Sequence, residues 1–188
     1  VAGWIGDDSQ LGDMPIISPG TGMTMPSLAN NEYGKAALGY LAMKDMLGDS
    51  LFRRCLQGYM ARWNGKHPTP WDFFFTFNNV SGRNLNWFWK AWYFEPNYID
   101  LAVKAQKRTK TGYAITLLNK GGMPAPADLT ATYADGSQQV LHIGPSTWEK
   151  NLREATVTLA TKKVLKSVSL EGGIWMDADG SNNSLVVQ

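Results

Sequence analysis

The chain has 188 residues, of which 44% are hydrophobic and 12% aromatic, so it can form one large or two small domains with packed cores. Its net charge of +2 comes from dispersed basic residues, unlike the clustered Lys and Arg of nucleic-acid-binding proteins. No run approaches the roughly 20 apolar residues of a membrane span, and the single cysteine, Cys55, excludes an internal disulfide. We expect no nucleic-acid partner and no membrane span.

Apolar residues recur at helical spacing in the first half of the chain. After an irregular segment over 1–28, the spacing predicts one helix over about 30–47 and a second that Gly65 ends. Gly48 lies between them, and glycine accepts the left-handed backbone conformation that stops a helix. The short connection predicts an αα-hairpin.

Two further helices are predicted before the pattern changes. Thr69 and Asp72 stand at the N-cap and third positions of a capping box, with Pro70 at the first helical position, and this helix runs to about Val80. A fourth helix over 84–95 is apolar on nearly every side, which indicates burial on several sides.

From Asp100 onward the apolar residues alternate, which predicts β-strands. The candidate strands are 100–106, 112–119, 127–134, 138–144, 154–160 and 164–170, with a weaker one at 184–187. Asp135-Gly136 predicts a hairpin with a type I′ turn. The sequence therefore predicts an α+β chain, with about four helices in domain 1–98 and an all-β antiparallel sandwich in domain 99–188.

The residues that could carry chemistry do not form a complete catalytic or metal-binding motif. His67 and His142 are far apart, and neither has a second ligand at zinc-binding spacing, so we interpret both as structural or surface residues. Cys55 lies on an apolar helix face, which predicts a buried thiol. The segment 177–183 resembles a calcium loop, but its glycine is misplaced and a polar turn is the better interpretation. The aromatic run 87–98 is interpreted as core rather than as a sugar-binding platform.

Tyr33 opens the first predicted helix, directly after the polar run Asn30-Asn31-Glu32. A tyrosine there can present its hydroxyl to a cleft, although ordinary packing is the better interpretation of the position taken alone.

An ordered series of motifs over residues 30–95 resembles the segment after the zinc site in aminopeptidase N-type gluzincin metallopeptidases. The series is Tyr33-Gly34-Lys35-Ala36-Ala37-Leu38, Leu47-Gly48, Phe52, Tyr59, Thr69-Pro70-Trp71-Asp72-Phe73, Ser81-Gly82-x-Asn84-Leu85, Phe88 and Trp92. Lys66-His67-Pro68 with Trp87-Phe88-Trp89 is closer to a bacterial branch, for which export is compatible but not indicated by the residues. The region 99–188 resembles the immunoglobulin-like sandwich that follows the catalytic domain.

The resemblance implies that Tyr33 is the catalytic tyrosine that donates its hydroxyl to the oxyanion of the tetrahedral intermediate. It also implies zinc in the full-length protein, held by an HExxH motif and a downstream glutamate upstream of Val1. We therefore expect a C-terminal portion of a zinc aminopeptidase. Its partners would be the N-terminal part of the same protein and a peptide substrate, and the chain would be inactive alone.

Two alternatives remain open from the sequence. The chain could be a non-catalytic module of helices and a β-sandwich that binds a protein or a glycan, with Tyr33 as ordinary packing. It could also belong to a relative that has lost its zinc ligands. The sequence encoded upstream of Val1 discriminates among these hypotheses.

Overall fold

The computed structural model describes residues 14–23 and 25–187, and the fold is α+β. The described chain divides into a helical unit that ends at Pro96 and a β unit that begins at Asn97. The helical unit contains α1 (Met25–Ala29), a π-helical turn (Asn30–Lys35), α2 (Ala36–Trp63), α3 (Pro70–Ser81), α4 (Asn86–Trp89) and a second π-helical turn (Lys90–Phe94).

Helix α2 is interrupted at Gly48, whose φ of 72° and ψ of 157° are not helical. In a straight helix Tyr40 and Tyr59 would be about 28 Å apart along the axis. Both ring centroids instead lie within 6 Å of the Phe73 ring, at 5.6 Å and 5.2 Å respectively. The chain therefore turns back at Gly48, and the predicted break and αα-hairpin are confirmed.

Helix α3 begins with the predicted capping box. The Thr69 backbone N–H and hydroxyl both donate to Asp72 Oδ2 at 2.8 Å, and Pro70 occupies the first turn. The helix ends at Gly82, which adopts the left-handed conformation. A helix start leaves backbone N–H donors unpaired, and a capping box supplies acceptors for them. The N-terminal boundary of α3 could therefore be predicted from the sequence.

The region predicted as a fourth regular helix is more irregular than the sequence indicated. Helix α4 has one α-helical turn, and a π-helical turn continues it to Phe94. The predicted burial of this region is confirmed for Leu85, Phe88 and Trp92, which have no exposed surface. Large aromatic rings on successive positions fill this core, and apolar spacing alone does not distinguish an α-helical from a π-helical turn.

Among the described residues, the β unit contains seven strands in two antiparallel sheets. They are β1 (Leu101–Arg108), β2 (Gly112–Asn119), β3 (Ala127–Tyr133), β4 (Gln138–Ile143), β5 (Glu154–Ala160), β6 (Leu165–Glu171) and β7 (Ser184–Val186). One sheet has the order β1-β2-β5 and the other β4-β3-β6-β7. Every predicted strand is present, with ends within two residues of those expected from the alternation.

Alternate residues of both sheets are buried, as the period-two pattern requires. Ile115 and Leu117 of β2 and Leu129 and Ala131 of β3 have no exposed surface. The two sheets are also joined by a hydrogen bond, because the Leu165 backbone N–H of β6 donates to the Tyr113 hydroxyl of β2 at 3.0 Å. The core of the β unit therefore combines apolar burial with a specific polar link.

The hairpin between β3 and β4 is confirmed, but its predicted turn type is wrong. A type I′ turn requires positive φ at both central residues. Only Gly136 has a positive φ, of 82°, and no non-glycine residue among those described does. Asp135 instead accepts hydrogen bonds from the Ser137 N–H at 3.0 Å and its hydroxyl at 2.6 Å. This local side-chain bonding favours a longer loop that ends in a left-handed glycine.

Candidate functional site

Tyr33 lies in the π-helical turn Asn30–Lys35, between α1 and α2. Its side chain is 76% exposed. The turn is closed by a bond from the Ala36 backbone N–H to the Asn31 carbonyl, five residues earlier. A regular α-helix was expected from residue 30, and that expectation is wrong for this turn.

The residues on either side of Tyr33 anchor the turn to the interior. Asn31 is 1% exposed, and its Nδ2 donates to the Met14 carbonyl at 2.9 Å. Lys35 is fully buried. The turn is therefore held through Asn31 and Lys35, while the phenol ring of Tyr33 projects outward. One extra residue in a helical turn changes the direction of the side chains, and π-helical turns recur at functional sites for that reason.

The exposed Tyr33 hydroxyl has the chemistry of a hydrogen-bond donor, because a phenol O–H donates one hydrogen bond. Such a donor can stabilise negative charge that develops on a substrate oxygen, provided that the remaining catalytic groups are supplied around it.

An aromatic patch is exposed on the same helical unit. Trp71 is 50% exposed and Phe75 62%, and their rings stack at 6.4 Å with an interplanar angle of 28°. The Phe94 ring lies 5.1 Å from Trp71 and extends the patch. Contiguous exposed aromatic surface of this kind is characteristic of an interaction site on a soluble protein.

The other candidate residues, which are His67, His142 and Cys55, lie far from Tyr33 along the sequence. His67 is exposed in the loop before α3. His142 is an exposed residue of β4, and its Nδ1 lies 2.8 Å from Asp128 Oδ1.

Cys55 is buried, as predicted, and burial raises the pKa of its thiol. The thiol is therefore held in its protonated, unreactive form.

The segment suspected of resembling a calcium loop uses its carboxylates internally. Asp177 accepts from the backbone N–H groups of Leu101 at 2.8 Å and Asp179 at 2.9 Å. Asp179 in turn accepts from Ser181 and from Asn182 Nδ2, the latter at 2.7 Å. Desolvation by burial raises the pKa of Asp177. This bonding is that of a polar turn, which is the interpretation favoured from the sequence.

Within residues 14–23 and 25–187, no three His, Cys, Asp or Glu side chains lie together as a metal-binding group. The described residues therefore do not by themselves fit a zinc centre. In the same part of the chain, no helix is long and apolar enough to cross a membrane.

No family model matches the chain, and no curated protein matches it. Among solved structures, the chain is similar to Legionella pneumophila aminopeptidase A in complex with aspartic acid, with a TM-score of 0.58 and 18% identity. The match covers 88% of this chain but only 19% of the aminopeptidase chain. At this identity the similarity shows the fold, which is that of part of an aminopeptidase.

Proposed function

We propose that the chain is the C-terminal portion of a gluzincin-type zinc aminopeptidase, which removes N-terminal residues from peptides. In this proposal the helical unit is the last part of the catalytic domain, with its boundary near residue 98, and the β unit is an immunoglobulin-like sandwich. Zinc and the base that activates water would be supplied by the N-terminal part of the same protein. The chain itself would contribute Tyr33.

The observation that carries the proposal is the fold similarity to a segment of an aminopeptidase over 88% of the chain. The motif series around Tyr33 supports the same proposal through residue types and their spacing. The two sources of support are of different kinds, since one rests on residue types and spacing and the other on backbone geometry. Both point to the same class of enzyme.

The placement of Tyr33 also supports the proposed role. A donor to an oxyanion must reach a substrate, and the Tyr33 ring is 76% exposed on a turn anchored by the buried Asn31 and Lys35. An anchored backbone with an outward side chain lowers the entropy cost of positioning that donor. Removal of one such donor typically lowers the catalytic rate by about 100- to 1,000-fold.

The exposed aromatic patch of Trp71, Phe75 and Phe94 supports the proposal that this chain is part of a longer protein. Apolar surface that is exposed in an isolated portion is readily buried when the remainder is present. The short share of the aminopeptidase chain that is matched, 19%, supports the same interpretation.

The first test is an activity assay on the purified 188-residue chain with aminoacyl fluorogenic substrates, with and without added zinc. We expect hydrolysis no faster than the blank. A zinc-dependent aminopeptidase activity of the isolated chain, abolished by Tyr33→Phe, would contradict the proposed division of the active site. The encoded upstream sequence gives a second test, because an HExxH motif followed about 20 residues later by glutamate is required of the proposed enzyme.

A further inference from the structure

The fold brings basic side chains together at one end of the β unit, although they are dispersed in the sequence. The β1–β2, β3–β4 and β5–β6 turns all lie at this end of the strands. The Thr161 backbone N–H of the β5–β6 turn donates to the Thr111 carbonyl of the β1–β2 turn at 3.1 Å. The Ala134 N–H of the β3–β4 turn donates to the Val164 carbonyl at 2.9 Å. The three turns therefore form one surface, which we call the hairpin end.

The hairpin end is strongly basic. Six of the ten Lys and Arg residues in 97–187 lie there, but only one of the eight Asp and Glu residues, which is Asp135. The six basic residues, all of them exposed, are Lys107, Arg108, Lys110, Lys162, Lys163 and Lys166. The other seven carboxylates lie toward the opposite end of the strands. The charge of the β unit is therefore distributed very unevenly, with the excess of positive charge at the hairpin end.

Most of this positive charge is not neutralised within the β unit. Lys163 pairs with Asp135 at 2.9 Å, and Arg108 donates to the Lys163 carbonyl at 3.2 Å. None of the described carboxylates forms an ion pair with the other four basic residues, which are Lys107, Lys110, Lys162 and Lys166. Exposed cations without a counter-charge attract an anionic partner, and salt weakens that attraction.

The β5–β6 turn also exposes an apolar side chain among these lysines. Val164 is 63% exposed, although its neighbour Leu165 is only 2% exposed. The hydrogen bond from the Ala134 N–H holds the Val164 backbone, so the exposed side chain has a fixed position. Basic residues around an exposed apolar side chain suit an anionic membrane surface, where the cations meet headgroups and the apolar group enters the interface.

The hairpin end fits this surface better than it fits a nucleic acid or an acidic protein. Its described aromatic rings, those of Tyr113 and Tyr133, are only 5% and 3% exposed, whereas single-stranded nucleic acids are bound by stacking on exposed rings. Specific recognition of a carboxylate favours arginine, and the guanidinium of Arg108 already donates to the Tyr113 hydroxyl and the Lys163 carbonyl. The remaining cations are lysines, whose flexible point charges suit headgroups without fixed positions.

We propose that the hairpin end docks reversibly on a membrane surface that contains anionic lipids. The unpaired lysines contact the lipid headgroups, and the Val164 side chain enters the interface between headgroups and acyl chains. The contact is peripheral, it uses the β unit alone, and it is independent of any peptidase activity.

The test is co-sedimentation of the full 188-residue chain with lipid vesicles, from which a partition constant is obtained. One set of vesicles contains phosphatidylglycerol and phosphatidylcholine in a one-to-two ratio, and the other contains phosphatidylcholine alone. We expect binding to the anionic vesicles at low salt and at least about 20-fold weaker binding to phosphatidylcholine. Raising the salt from about 0.05 M to about 0.5 M should lower the partition constant for the anionic vesicles at least about 10-fold.

Two triple variants with equal loss of charge locate the contact. The variant Lys107→Gln/Lys110→Gln/Lys162→Gln removes three unpaired cations from the hairpin end. Each basic residue near an anionic leaflet contributes about 5-fold to the partition constant, so this variant should bind about 100-fold more weakly. The control replaces three exposed lysines of the helical unit in the same way, and it should bind within about 3-fold of the wild type. Its substitutions are Lys44→Gln, Lys66→Gln and Lys90→Gln.

Val164→Ala separates a lipid interface from other polyanions, because it leaves every lysine in place. It should weaken binding to the anionic vesicles about 2- to 5-fold through the loss of apolar contact. A short DNA duplex at the same phosphate concentration should not displace the chain from the vesicles. The proposal is overturned if the anionic vesicles do not bind the chain at low salt, or if phosphatidylcholine binds it equally well. It is also overturned if the two triple variants lose binding equally, if Val164→Ala binds like the wild type, or if the duplex competes.

Discussion

Tyr113→Phe tests whether a single phenol hydroxyl links the two sheets of the β unit. The hydroxyl accepts the Leu165 backbone N–H at 3.0 Å, and Arg108 Nη1 also donates to it. These bonds, led by the one from Leu165, lower the pKa of Tyr113. The substitution keeps the buried ring and leaves the Leu165 N–H, in a residue that is 2% exposed, without its acceptor.

The expected cost follows from that unpaired donor. A buried donor left without a partner costs about 1–3 kcal/mol, so we expect the free energy of unfolding of the β unit to fall by about 2 kcal/mol. For a unit of this size the melting temperature should fall by roughly 8–16 °C. The ring adds little to the change, because phenylalanine fills nearly the same volume.

Urea denaturation followed by circular dichroism measures the change, with the free energy obtained by linear extrapolation. Tyr98→Phe is the matched control, since Tyr98 is 43% exposed and the loss of its hydroxyl should change stability by less than about 0.5 kcal/mol. If Tyr113→Phe were as mild as this control, the Leu165 N–H would have another acceptor and the reasoning would be refuted.

Three further outcomes are expected. Gly48→Ala should lower the free energy of unfolding of the helical unit by about 1–2 kcal/mol in urea, because alanine is strained at a φ of 72°. Gly34→Ala is the control and should not lower it, because Gly34 has no positive φ. Equal effects of the two substitutions would contradict the left-handed conformation at Gly48. Hydrogen bonds, led by that from the Ser137 hydroxyl, lower the pKa of Asp135 in the folded protein. The ionised carboxylate therefore stabilises the fold fully above the pKa of about 4 that it has in the unfolded chain. This stabilisation is lost as the pH falls through the lower pKa of the folded protein. The stability difference between wild type and Asp135→Asn should therefore shrink below pH 4 in urea unfolding, and a constant difference would argue against it. Cys55 should resist a thiol-specific reagent in the native chain and react once urea unfolds it; rapid native labelling would show an accessible thiol.

The β unit was the more predictable half of the fold. Its strands alternate buried and exposed residues, and that alternation is visible in the sequence of β2 and β3. The helix break at Gly48 and the capping box at Thr69 were equally predictable from the sequence, because each depends on the local backbone conformation. Local physical constraints therefore account for the accurate boundaries.

The features that the sequence did not predict depend on tertiary packing. The two π-helical turns, Asn30–Lys35 and Lys90–Phe94, each require an extra residue in a turn that apolar spacing does not mark. The aromatic cluster around Phe73 depends on the return of α2 at Gly48, which places the Tyr40 and Tyr59 rings beside it. The predicted αα-hairpin already implies that Tyr40 and Tyr59 lie near each other. The position of Tyr93, by contrast, depends on tertiary packing.

Tyr33 was identified through a family resemblance, and its residue type and helical position alone did not separate catalysis from packing. The structure adds that its ring is exposed, which ordinary core packing would not produce. In the proposed function, the other catalytic groups come from the N-terminal part of the same protein. The role of this tyrosine is therefore the central claim to test.

The most direct measurement is the kinetic effect of Tyr33→Phe in the full-length zinc aminopeptidase that the proposed function implies. If Tyr33 donates to the oxyanion, kcat for aminoacyl substrates should fall by about 100- to 1,000-fold with little change in KM. Bound zinc and the melting temperature should match the wild type, and Tyr98→Phe should retain full activity. A Tyr33→Phe enzyme with wild-type kcat would contradict the account.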